Sequence, residues 1–167
     1  MFTKVKHFER AWARESEGTL RVLRALTDDS LSQAVAHGER TLGRIAWHIT
    51  TTLPEMMGRT GLKLAGPGEH DPLPKSAAVI AAGYEASAKS LLEAIQRGWS
   101  DETLQQADDM YGEQWKRGLT LVALISHQAH HRGQMTVLMR QAGLRVPGVY
   151  GPAHEDWASM GMEPPEI

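Results

Sequence analysis

Residues 121–138 read LVALISHQAHHRGQMTVL, a proline-free run whose apolar side chains recur at helical spacing and which carries three histidines, His127, His130 and His131. On a helix, side chains four apart share a face, with Cβ atoms roughly 6 Å apart. With His127 at zero on a helical wheel of about 100° per residue, Leu121, Leu124, Met135, Leu138 and Ala142 centre near roughly +70°. His131 falls near roughly +40°, inside that face, and His130 near roughly −60°, at its rim. His127 and His131 are therefore the pair that converges. Two ligands hold a divalent ion poorly, and the third candidate is His48, in the segment TLGRIAWHITTTLPEM, residues 41–56.

Spacing alone leaves two readings open. Burying two imidazoles side by side needs a reason, and a shared metal ion is one. The other is a set of ordinary half-buried histidines bonded to carbonyls or carboxylates. HxxxH without an intervening Glu is also not the metalloprotease motif, whose Glu is the general base. Around the set, Glu55 lies seven residues after His48 and Gln134 three after His131, so either can orient a ligand or face solvent. Arg44, one turn before His48, can hold an anionic substrate or be a surface arginine.

Working outward, Val5 to Leu26 reads as a first helix, with Phe8, Trp12, Thr19, Leu23 and Leu26 on one stripe. Residues 31–40 are weakly patterned and read as a loop or short extended piece. Thr41 is the expected N-cap of a second helix whose apolar face is Leu42, Ile45, Ile49, Leu53 and Met56, kinked near Thr50 by Pro54. Residues 58–74 are a Gly/Pro-rich loop. Ser76 to Gly98 is the third helix, and residues 99–118 are a long mixed connection with Trp99, Tyr111 and Trp115 as buried anchors. The fourth helix runs from about Leu119 to Ala142. An extended tail follows, with a short last helix over His154–Met160. Four amphipathic helices with little strand signal predict an all-α, antiparallel four-helix bundle in a single domain, residues 1–167.

The chain has 167 residues, 41% hydrophobic and 23% charged, with a net charge of −2. No basic run points to nucleic acid, and no apolar run or leader points to a membrane, so the expected place is the cytoplasm. There is no cysteine. Disulfides, thiolate ligands and Cys nucleophiles are thereby excluded, and site chemistry must use His, carboxylates, Tyr or a bound group.

Three segments together resemble the DinB/YfiT-like family of metal-dependent proteins: TLGRIAWHITTTLPEMM (41–57), LISHQAHHRGQMTVLMRQAGL (124–144) and VPGVYGPAHEDWASMGMEPP (146–165). The resemblance spans nearly the whole chain. It implies an antiparallel bundle, commonly dimeric, with one divalent metal ion per chain held by His48, His127 and His131, zinc or nickel being the expected ion. Characterised relatives are similar to thiol S-transferases and isomerases that use a low-molecular-weight thiol such as bacillithiol or mycothiol. Three neutral histidines leave an open position for water or substrate. Lacking Cys, the chain would take a thiol nucleophile from a cosubstrate. A metal-hydroxide hydrolase and a non-catalytic metal-binding stress-response module remain alternatives. A homodimer is expected, with Trp47, which projects away from Ile45 and Ile49, at the seam; the alternative is cover by the 58–74 loop of its own chain.

Overall fold

The computed structural model describes residues 1–166. The fold is mostly helical, with one small two-stranded sheet. Four long helices carry it: α1 (Val5–Arg24), α2 (Leu42–Gly58), α3 (Ala77–Gly98) and α4 (Arg117–Gln141). Helices α1 and α2 each pack against both α3 and α4. The core between them is Phe8, Trp12 and Leu23 from α1, Ile45, Ile49, Leu53 and Met57 from α2, Ile80, Tyr84, Leu91 and Ile95 from α3, and Leu121, Leu124, Met135 and Leu138 from α4. Apart from Met57, these are side chains placed on apolar stripes by the 3.6 period, and burying each stabilises the fold by roughly 1.5–3 kcal/mol.

Local chemistry sets the helix ends. Thr41 Oγ1 accepts the Arg44 N–H at 3.2 Å, the N-cap expected of it. Asp28 Oδ1 accepts the Ala77 N–H at 2.7 Å, so an acid from the α1–α2 connection satisfies an orphan donor of α3. That connection is not featureless. Residues Asp29–Ser32 form a 3-10 turn, and an isolated bridge joins Ala34 to Thr41. Helix α2 passes Pro54 and continues to Gly58.

Three expectations are corrected, the last of them in the tail. Trp47 is not a surface anchor: it is 4% exposed, and its Nε1–H donates to the Asp71 carbonyl at 3.0 Å. The 58–74 loop folds back over it. The loop also approaches α3 closely, because a Cβ on Gly66 (φ +115°) would sit 2.1 Å from Ser87 Oγ. The second correction concerns residues 99–118. They hold a 3-10 turn (Thr103–Gln105) and an antiparallel hairpin of β1 (Ala107–Met110) and β2 (Glu113–Lys116). Its two-residue turn takes left-handed φ at both Tyr111 (62°) and Gly112 (89°), as tight hairpins demand. Tyr111 is therefore exposed at the tip, and Leu104 and Met110 are the buried anchors instead, with Trp99 and Trp115 half-buried. Strands of four residues are too short for a two-residue period to stand out.

The tail has no regular structure through Ala153, with a bend over residues 149–151, and then forms two 3-10 turns, His154–Asp156 and Ala158–Met160, in place of one short helix. It is tied back by Arg140 to Glu155 and by the Tyr150 hydroxyl to Glu15 Oε2. No helix among the described residues is long and apolar enough to cross a membrane.

Candidate metal centre

His48 lies in the second turn of α2, and His127 and His131 lie one turn apart on α4. The packing of α2 on α4 brings the three rings together, with centroids 4.4–4.9 Å apart. One nitrogen from each lies within 4.8 Å of the others. His48 Nε2 and His127 Nε2 face each other at 3.0 Å. Nitrogens bound tetrahedrally to one zinc-like ion at about 2.0–2.1 Å stand roughly 3.3 Å apart, a spacing that falls between the 3.0 Å of the His48–His127 pair and the 4.8 Å limit of the set.

Tautomers follow from the partners. His131 Nδ1 lies 2.7 Å from Gln134 Oε1. An amide oxygen only accepts, so Nδ1 carries the proton and Nε2 keeps its lone pair for the centre. Gln134 is exposed and still orients the ring, which joins the two fates open to it in the sequence. His127 Nδ1 is buried with no partner among the described residues. Its Nε2, turned toward His48, is the nitrogen left to bind.

All three imidazoles are held neutral. Burial pushes His48 down to about 4, and His131, Arg40 and Arg44 add to it while Glu55 opposes. Burial likewise pushes His127 to about 4, helped by His131, His48, His130 and Arg40. Burial lowers His131 too, against the Gln134 bond. Neutral imidazole is the form that ligates a metal, so the donor set fits one divalent ion of borderline character.

The neighbours divide. His130 is exposed, with its ring 4.8 Å from that of His131, and lies outside the convergent group. Glu55 makes no bond to His48: its two oxygens accept Arg59 Nε and the Tyr111 hydroxyl, each at 2.8 Å, pinning the hairpin tip to α2. Arg44 is exposed with no bonded partner among the described residues; its charge disfavours protonation of His48, and that of Arg40 does so at all three histidines.

The sequence reading missed Arg132, which is 2% exposed. Its guanidinium donates to the Glu15 carbonyl at 3.0 Å, Thr19 Oγ1 at 2.9 Å and Glu15 Oε2 at 2.7 Å, and also to the Tyr150 hydroxyl. Gly18 leaves the space, since a Cβ there would meet Val149 at 3.2 Å and Arg132 at 3.5 Å. This bond set fixes α4 against α1 and so fixes the rotation that turns His127 and His131 toward α2. A signal existed: on the wheel Arg132 falls near roughly +140°, on the border of the apolar face rather than opposite it.

Fold and site together define a helical protein with three convergent histidines able to hold a metal ion. The chain belongs to the DinB family, whose model matches residues 1–166. It is 45% identical, over the full length of both chains, to the uncharacterized protein YrdA of Bacillus subtilis. Among solved structures, a DinB-like protein from Bacillus cereus is 48% identical with a TM-score of 0.87, over 90% of this chain and 100% of that one. The DinB-like YjoA of Bacillus subtilis, at 17% identity and TM-score 0.68 over 88% of this chain and 99% of that one, shares the fold.

Proposed function

We propose that this protein is a divalent-metal-dependent enzyme that transfers a low-molecular-weight thiol to an electrophilic substrate. The observation that carries the reading is the convergence of His48, His127 and His131, with one ring nitrogen of each within 4.8 Å of the others and His131 Nε2 left unprotonated by the Gln134 contact. Together they would hold one ion, zinc or nickel, leaving a position open. Bound there, the ion would lower the pKa of a thiol or water and supply a nucleophile near neutral pH. The chain's own residues would do the rest. Gln134 keeps the His131 proton on Nδ1. The Arg132 bond set holds α4 in register. With no cysteine in the chain, the sulfur must arrive with the cosubstrate. The reading takes the four helices as an antiparallel bundle in one domain and the working unit as a cytoplasmic homodimer whose seam lies away from Trp47.

The test is turnover of an electrophile such as a chlorodinitrobenzene by untagged, metal-loaded protein. Consumption is expected only when a small thiol is present, and His48→Ala should stop it. Thiol-independent ester or amide hydrolysis would favour a metal-hydroxide hydrolase. Metal uptake without turnover across a thiol panel would favour a binding module.

A further inference from the structure

Helix α2 departs from a plain helical ladder where it carries His48. Three consecutive threonines turn back on that stretch: the Thr50, Thr51 and Thr52 hydroxyls donate to the Ala46, Trp47 and His48 carbonyls at 2.9, 3.1 and 2.7 Å. Pro54 has no N–H, so the Thr50 carbonyl lacks its helical donor. Threonine back-bonds and an interior proline both bend helices, so the ladder of α2 alone sets the direction of His48 weakly. A bond from α4 reaches the same stretch. Gln128 Nε2 donates to the Ile49 carbonyl at 3.2 Å. Ile49 follows His48 and Gln128 follows His127, so this bond lies beside the place where those two rings face each other at 3.0 Å. A carbonyl only accepts, which fixes the amide with its nitrogen toward Ile49. Gln128 is fully buried, and its Oε1 has no partner among the described residues. An unpaired amide oxygen in the interior weakens the fold, and an apolar side chain of the same length would not carry that cost.

We propose that Gln128 is a positioning residue for the metal centre: its bond to the Ile49 carbonyl clasps the bent part of α2 onto α4 in the register that brings His48 to His127 and His131. Gln128 ligates nothing and acts through backbone. The fold is less stable for keeping a half-satisfied amide in the core, and the geometry of the histidine set is what the amide secures. This role rests on the three-histidine metal reading and on no particular reaction.

The test compares the full chain with Gln128→Met, which keeps the length and volume of the side chain and removes both polar atoms. The metal-free variant should melt at or above the parent's temperature. Cobalt, followed by its visible d–d band, should nevertheless bind about ten-fold more weakly, the low end for groups that support a metal site, and with an altered band. Packing alone would not move affinity and spectrum against stability in this way. In the metal-free proteins, proton cross-peaks between the His48 and His127 rings should be present in the parent and weakened in the variant. Parent-like affinity and band overturn the role, and so does a variant that melts well below the parent, which would make Gln128 a packing residue. A parent that takes up no cobalt sinks the metal reading instead. The clasp is then judged on the ring cross-peaks: their weakening at an unchanged melt supports it, and their persistence overturns it. In the unaltered protein the Gln128 side-chain amide protons should exchange with solvent as slowly as core backbone amides, and exchange at the free-amide rate would refute the bond.

Discussion

Replacing Gln134 by Ala isolates the one contact that sets a histidine tautomer. The side chain is exposed, and its recorded bond accepts His131 Nδ1–H at 2.7 Å, so its loss should leave the fold intact. Without that acceptor the His131 proton can move to Nε2, the nitrogen needed at the centre. Outer partners of metal-bound histidines are worth about 10–100-fold in affinity. Gln134 is neutral and wet, so the lower end applies, about ten-fold or ~1.4 kcal/mol. A neutral hydrogen bond's net worth of about 0.5–1.5 kcal/mol gives the same scale. The assay is competition for zinc against a chromophoric chelator near neutral pH, with thermal melting of the metal-free forms as a fold control. Gln134→Glu keeps an acceptor and should bind zinc at least as well as the parent. If Gln134→Ala binds zinc like the parent while its melt is unchanged, the tautomer argument is wrong.

Four further outcomes are expected. Metal analysis of untagged protein should find about one divalent ion per chain; His131→Ala should abolish binding and His130→Ala should leave it, and equal loss from both would refute the assignment. His48 and His127 titrate near 4 folded against 6.5 ordinarily, so between those values the unfolded chain takes up protons that the folded chain refuses. Urea midpoints of the metal-free protein should therefore fall as pH drops through that window, and His48→Asn/His127→Asn should flatten the fall; an unchanged slope would count against the neutral cluster. Glu15→Gln leaves the buried Arg132 charge without its carboxylate and should cost about 3 kcal/mol by urea denaturation, the low end because Thr19, Tyr150 and the Glu15 carbonyl remain; a loss under about 1 kcal/mol would show the pair to be incidental. Trp47→Glu puts a charge under the 58–74 loop, so it should lower the melting temperature sharply, and a mutant with the parent's melt would contradict the burial.

The four helices and their inward faces were written in the order of residues. Helical periodicity is a local property, and Thr41 and the Gly/Pro-rich 58–74 segment punctuate it through backbone chemistry a few residues long. The same holds for His127 and His131: four residues on one helix fix their convergence before any tertiary contact forms. The absence of cysteine likewise fixed which ligands and nucleophiles the chain can offer.

Only the packed structure decided the rest, because the deciding partners are distant in sequence. His48 meets His127 across 79 residues, through the seating of α2 on α4. Glu15 meets Arg132 across 117 residues, which turns a polar residue at the edge of a stripe into a buried one. Trp47 pointed away from its own helix's core face, and whether a loop or another molecule covered it depended on where residues 58–74 came to rest. Tyr111 reads as an apolar anchor, and the hairpin's demand for two left-handed residues put it at an exposed tip. Periodicity tells which side of a helix is apolar, whereas the identity of what lies opposite is set by long-range packing that no local window contains.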